Sequence, residues 1–285
     1  MIRATALGGV AVLLWSLLAV LTVGAAPIPP LQLNAMCFTI GGMVGALWLT
    51  FTGTWHQLRG VPLAAYALGI GGLAGYHLLY FSALRAAPPA EAGLIAYLWP
   101  LLIVLLSGLL PGERLRPGHL AGALMGFAGA AVLIGARLSG GADALPGYLL
   151  ALACALTWSG YSVLSRRFKD VPTAAVTVFC LASAGISLCA HILSETTVLP
   201  PDALTWAAVF ALGLGPVGLA FFVWDVGVKR GNIQLLGVLS YAAPLLSTAI
   251  LVLAGLAEPT PALLIAALLI AGGALVAARV SAAAD

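Results

Sequence analysis

Tyr76, His77 and Tyr80 lie in one apolar run, and Tyr97 and Trp99 in the next. Rings of this kind can stack on a flat solute and exchange hydrogen bonds with its polar head. At about 100° per residue, Tyr76, His77 and Tyr80 fall within an arc of about 100° on a helix. Facing lipid, each O–H or N–H would lack a partner, so the arc is expected to face a wet cavity. Tyr97 and Trp99 stand about 200° apart on an ideal helix and reach one cavity only if that helix is distorted. Pro100 supplies a cause, because its ring clashes with the carbonyl of Ala96 and removes one backbone hydrogen bond. A carbonyl freed at mid-membrane is itself a polar contact. Ser240, Tyr241 and Pro244 repeat the arrangement, which makes Pro100 and Pro244 candidate hinges.

Trp158, Tyr161, Ser162 and Ser165 form a second stripe at i, i+3, i+4 and i+7. Trp158 lies about midway between Pro146 and Arg167, too deep for an interfacial belt. Trp15 and Thr22 share a face of the first run. The candidate substrate-binding residues are Tyr76, His77, Tyr80, Tyr97, Trp99, Trp158, Ser240 and Tyr241, with no catalytic or metal-ligating residue among them.

Charge is scarce, at 7% of residues. Glu91 follows Pro88-Pro89 in a first helical turn, where the helix dipole favours a carboxylate. Glu113 lies in a corner beside Arg114 and Arg116. Asp225 has Lys229 at i+4, the spacing of a structural ion pair. No Lys or Arg lies deep in an apolar run, which disfavours phosphorylated substrates. No carboxylate lies at a midpoint, which disfavours exchangers that hold a cation on a membrane Glu. HExxH, P-loop and GxSxG patterns are absent, as are metal-spaced Cys/His clusters, so neither an enzyme nor a resident cofactor or metal is expected.

The elements that position these residues follow from composition. Of 285 residues 62% are hydrophobic, more than a water-soluble fold can cover. A spanning helix needs roughly 20 apolar residues. Ten such segments occur, at about 4–24, 32–52, 62–84, 89–110, 118–137, 147–168, 172–193, 203–228, 232–254 and 261–279. Long unalternating runs exclude a β-barrel. The fold class is an all-α integral membrane protein.

With the N-terminus in the cytoplasm, cytoplasmic segments hold Arg3, Arg59, Arg114, Arg116, Arg166, Arg167, Lys169, Lys229, Arg230 and Arg279. External segments hold only Arg85 and Arg137. That asymmetry places both termini inside, and the net charge of +3 reports topology rather than nucleic-acid binding. The first segment resembles a signal peptide only in having Arg3 before an apolar run; it is too long, and is read as retained. Cys37, Cys154, Cys180 and Cys189 fall within helices and are expected to be buried thiols. Gln32 and Asn34 read as cap or interface residues, and Thr173, Thr177, Cys180 and Ser187 as helix-packing residues.

The chain also repeats itself. A shift of 144 residues pairs Tyr97 with Tyr241, Pro100 with Pro244, Arg85 with Lys229 and Gly129 with Gly273. Residues 1–141 and 142–285 are thus read as two five-helix repeats. Five is odd, so the second enters the membrane from the other side, and inverted-topology repeats are a transporter signature. Segments five and ten carry glycine faces, Gly118, Gly122, Gly126 and Gly129 against Gly272 and Gly273. Such faces serve either packing within one chain or a homodimer contact.

Ten helices in two halves, Trp-Ser in segments one and six, and Pro111-Gly112-Glu113 ending segment four, echoed by Glu258, resemble the drug/metabolite transporter superfamily, EamA type. The aromatic stripe on segments three and four is similar to the bacterial aromatic amino acid exporters of YddG type. The resemblance implies a basket-like bundle with helices one, three, four, six, eight and nine around a cavity, and five and ten outside. It also implies a secondary transporter of the inner membrane that exports small neutral amphipathic solutes, aromatic amino acids first. Gating would come from rocking of pairs three–four and eight–nine. Partners would be a small-molecule substrate and the bilayer, without nucleic acid. The alternatives are an aromatic-cation or multidrug exporter, a channel, and a lipid flippase.

Overall fold

The computed structural model describes residues 1–135 and 141–282. Among these, ten helices are long and apolar enough to cross a membrane. They are α1 (Ile2–Gly24), α2 (Pro30–Thr52), α3 (Leu63–Ala86), α4 (Pro89–Ser107), α5 (Pro117–Ile134), α6 (Ala142–Phe168), α7 (Ala175–Ser194), α8 (Ala203–Arg230), α9 (Ile233–Leu253) and α10 (Pro261–Ala282). Each was expected within about three residues of these bounds, except that α6 starts at Ala142, five residues before the expected 147; the expected end of the fifth segment at 137 lies outside the described residues. Arg137 lies outside the described residues. Helices are forced here because lipid offers no partner for backbone N–H and C=O groups.

The packing pattern maps onto itself when five is added to each helix number. Helix α2 packs on α7, α4 on α9 and α5 on α10, while α3 against α6 is matched by α8 against α1. The glycine faces of α5 and α10 meet each other. A Cβ on Gly122 would stand 2.6 Å from the carbonyl oxygen of Gly273, so only glycine allows this approach. The same holds for α1 and α8, where a Cβ on Gly227 would lie 2.5 Å from Cα of Gly8.

Several helices break or widen at mid-depth. Helix α1 is interrupted at Ser16–Leu17, α4 at Tyr97–Leu98 and α9 at Ser240–Tyr241. Helices α3 and α8 each contain a π-helical turn, Gly71–Gly75 and Gly215–Leu219. These two turns start 144 residues apart, the shift that relates the halves.

The basic face of the bundle, which carries the start of α1, the end of α10 and most of the described Lys and Arg residues, is tied together. Glu113 accepts hydrogen bonds from Arg166 and, at 3.0 Å, from Gln234, joining the ends of α4, α6 and α9. Arg166 also donates to the carbonyls of Val228 and Gly231 at 3.0 and 2.8 Å. Asp225 and Lys229 form the expected ion pair at 2.8 Å, with Thr173 donating to the same carboxylate. Cys37, Cys154 and Cys180 are buried as expected. Cys189 is not: it is exposed on α7, where an apolar thiol is as well accommodated by lipid as by protein.

On the opposite face, Glu195 follows α7 directly. It accepts from the backbone N–H groups of Leu31 and Gln32 at 3.1 Å, which caps α2. Arg85, at the end of α3, pairs with it at 2.7 Å, and His191 donates to it at 3.0 Å. Burial alone would raise the pKa of Glu195. The bond from His191, the two N–H groups and the Arg85 charge outweigh that and hold it below the ordinary carboxylate value. Gln32 completes the corner by donating to the Val198 carbonyl at 2.7 Å and accepting from Val198 N at 2.9 Å.

Candidate functional site

The breaks in α1, α4 and α9 and the widened turns of α3 and α8 lie at one level, and there the helices leave a cavity of about 100 Å3. Helix α1 contributes Trp15 and Leu18, α3 Tyr76 and His77, and α4 Tyr97 and Trp99. Helix α6 contributes Trp158, α8 Pro216, Val217 and Phe221, and α9 Ala243. The six helices are those that the family resemblance implies. No residue in the lining carries a permanent charge.

Tryptophans form the centre. Trp15 lies 6.0 Å from Trp99, 5.7 Å from Trp158 and 5.0 Å from Trp224, ring centre to ring centre. Trp15 meets Trp99 nearly edge to face, at 85°, an arrangement that ring quadrupoles favour. The indole N–H of Trp15 donates to the carbonyl of Pro216, in the π-turn of α8, at 3.1 Å. That of Trp224 donates to the Ser162 hydroxyl at 3.1 Å.

His77 is held by the other π-turn. Its Nδ1 lies 2.8 Å from the carbonyl of Leu73. A carbonyl only accepts, so Nδ1 carries the proton and a neutral ring is left with Nε2 as an acceptor. Phe38 at 5.0 Å, Tyr76 at 5.2 Å and Phe221 at 6.2 Å pack around the imidazole.

Beyond the lining towards the basic face, Val12, Ile103, Trp224 and Leu236 are all buried. Towards the other face Ala92 and Ala96 of α4 and Ala151 and Cys154 of α6 are buried as well. From Leu17 to Gly24 on α1, and from Pro244 to Leu253 on α9, no residue is buried.

The structure brings Tyr76, His77, Tyr97, Trp99 and Trp158 to this cavity and leaves three of the singled-out residues elsewhere. Tyr97 and Trp99 both reach it because the chain turns at Tyr97–Leu98, just before Pro100. Tyr80 stands one turn further from the basic face, stacked on Tyr76 at 6.0 Å and 3°. Ser240 turns its hydroxyl back to the Leu236 carbonyl at 2.7 Å and is fully buried. Tyr241, also fully buried, packs with Ala130, Ala266 and Ile270 of the outer helices. Its hydroxyl accepts from the backbone N–H of Leu101 at 3.1 Å. Of the Trp158 stripe, Ser162 serves Trp224, and Ser165 donates to the Tyr161 carbonyl at 2.7 Å.

Phe221 and Trp224 were not singled out from the sequence. The signal was available: the shift of 144 carries His77 to Phe221 and Tyr80 to Trp224. Glu195 had no such signal, since the same shift relates it to Phe51.

Comparison with known proteins agrees with this architecture. The chain is 58% identical over 277 residues, 96% of each chain, to the aromatic amino acid exporter YddG of Ancylobacter novellus. It is 24% identical over 265 residues, 87% of each chain, to the protein of that name from Escherichia coli. A solved crystal structure 57% identical in sequence superposes with a TM-score of 0.93, covering 98% of both chains. These named relatives are exporters, not enzymes. A model of the EamA-like transporter family matches twice, over residues 3–135 and 145–279, and the chain belongs to that family.

Proposed function

We propose that this protein exports aromatic amino acids from the cytoplasm by alternating access. The observation that carries the reading is the central cavity, walled by aromatic rings from both halves and free of permanent charge. A substrate ring would lie among Tyr76, Trp99 and Trp158, each aromatic contact contributing roughly 0.5–1.5 kcal/mol beyond burial. The zwitterionic head would meet Nε2 of His77 and the Tyr76 and Tyr97 hydroxyls, neutral groups that suit a solute of zero net charge. Tyr80, Ser240 and Tyr241 act around the site, as packing and support. Export, and the aromatic class, are supported by the relatives named as aromatic amino acid exporters.

The protein would sit in the bacterial inner membrane with its basic face and both termini in the cytoplasm. Residues 1–141 and 142–285 act as the two inverted halves, Pro100 and Pro244 as hinges, and pairs α3–α4 and α8–α9 as the rocking elements. The glycine faces of α5 and α10 are spent on each other, which favours a monomer.

Proteoliposome uptake of labelled Phe and Trp, set against Leu, Lys and a sugar phosphate, tests the reading. Saturable flux of the aromatic pair above the others is expected. Equal rates for all five, or no flux above empty liposomes, would refute it. The acceptor left on His77 and the cavity-lining rings of Trp99 and Trp158 favour one second reading, export of flat aromatic cations. Faster flux of such a cation than of Phe would select it.

A further inference from the structure

Four tryptophans meet at the centre of the bundle, and their indole N–H groups fall into two classes. Those of Trp15 and Trp224 are spent, on the Pro216 carbonyl and the Ser162 hydroxyl. Those of Trp99 and Trp158 have no acceptor among the described residues. The polar side-chain atoms that lack a partner and are also sealed from open space belong to Tyr161, Thr177 and Ser183. The two free indole N–H groups are not among them, so each borders open space. Trp99 and Trp158 are only 6% and 3% exposed and both line the central cavity, so that space is the cavity.

The spent pair holds the free pair in place. Trp15 lies 6.0 Å from Trp99 and 5.7 Å from Trp158. Trp224 lies 6.0 Å from Trp99 and 6.3 Å from Trp158. Trp99 and Trp158 themselves stand 6.3 Å apart at 85°. Rings packed against two tethered neighbours are oriented before any solute arrives, which lowers the cost of binding. One free donor comes from α4 in the first half of the chain, the other from α6 in the second.

An indole N–H can only donate, and buried without an acceptor it is unfavourable. The neutral His77 ring offers the opposite, an acceptor at Nε2, because its own N–H is spent on the Leu73 carbonyl. The hydroxyls of Tyr76 and Tyr97 can serve either way. A carboxylate only accepts and an ammonium group only donates, so the two ends of an amino acid match these groups separately.

We propose that the indole N–H groups of Trp99 and Trp158 bind the carboxylate of the transported amino acid, leaving Nε2 of His77 to its ammonium group. This binding mode, which rests on the export of aromatic amino acids proposed above, uses the indole edges, while contacts with the substrate ring use the faces. A carboxylate held in this way bridges the two halves of the chain. A flat aromatic cation has nothing to give these donors.

Proteoliposome uptake of labelled Phe, inhibited by unlabelled Phe or by phenethylamine, tests it. Phenethylamine keeps the ring and the amine and lacks the carboxylate. In the wild type Phe should be the stronger competitor. Trp99→Phe and Trp158→Phe each keep an aromatic ring and delete one N–H. Each should raise the half-inhibiting concentration of Phe by about ten-fold more than that of phenethylamine, the loss of one charge-assisted hydrogen bond. A general loosening of the site would weaken both competitors alike. Should one variant fail to fold, the other carries the test. Phenethylamine competing as well as Phe in the wild type, or equal rises for the two competitors in the folded variants, overturns this binding mode while Phe export stands. Absence of saturable Phe flux in the wild type removes the export reading, and the binding mode with it.

Discussion

The backbone N–H of Leu101 donates to the hydroxyl of Tyr241, 3.1 Å away, across the contact between α4 and α9. The break at Tyr97–Leu98 disturbs the ladder at this point, and a side chain from the other half supplies an acceptor. Tyr241 is the repeat mate of Tyr97, so one member of the pair faces the cavity and the other braces the helix that carries it.

Tyr241→Phe should therefore destabilise the fold by about 1–3 kcal/mol, because it leaves a buried N–H unpaired while sparing the ring. Thermal unfolding in detergent measures this. A melting temperature equal to wild type would show that the bond carries no weight.

Trp99→Ala should lower transport of Phe by about ten-fold or more at unchanged expression, since it removes a ring contact and its buried area. His77→Phe should do the same by deleting the acceptor at Nε2. Ser240→Ala should transport nearly normally, because that hydroxyl is satisfied by Leu236 and not turned to the cavity. Comparable losses in all three, measured in proteoliposomes, would mean that the site is drawn wrongly.

The tie between α3, α2 and α7 should depend on pH with a definite sign. Glu195 has a depressed pKa in the folded protein, so its contribution is present above the unfolded carboxylate value and is lost as pH falls through the folded one. Wild type should exceed Glu195→Gln in melting temperature at neutral pH, and the gap should close on acidification below about pH 4. A gap that is constant across that window would remove Glu195 as its source.

Single cysteines at Ala26 and Asp143 of an otherwise Cys-free protein should label from outside intact cells. Those at Gly60 and Lys169 should not. The reverse pattern would invert the orientation.

Much of this was readable from the chain alone, for physical reasons. Length and apolarity suffice to locate ten spans, because lipid leaves the backbone no alternative to the helix. The 200° separation of Tyr97 and Trp99 already required a distorted α4, and Pro100 said where. What could not be read was which residue of the other half would be waiting. Tyr241 looks like a ligand contact in isolation and is a brace in the fold; Ser240 looks available and is satisfied by its own helix. Burial of partners distant in sequence decides both. The clamp at Glu195 depends on three helix ends meeting, which no local pattern encodes.

The π-turns at Gly71–Gly75 and Gly215–Leu219 act as phase shifters. Each accommodates one residue more than an α-helical turn, and one residue is about 100° of rotation. Without it, everything beyond would swing around the helix axis: Tyr76 and His77 would leave the cavity in one half, and Phe221 in the other. The two turns differ in composition, Gly-Gly-Leu-Ala-Gly against Gly-Pro-Val-Gly-Leu, yet impose the same angular offset at the same repeat position. What the halves have kept in common there is an angle, while the residues that produce it have drifted apart.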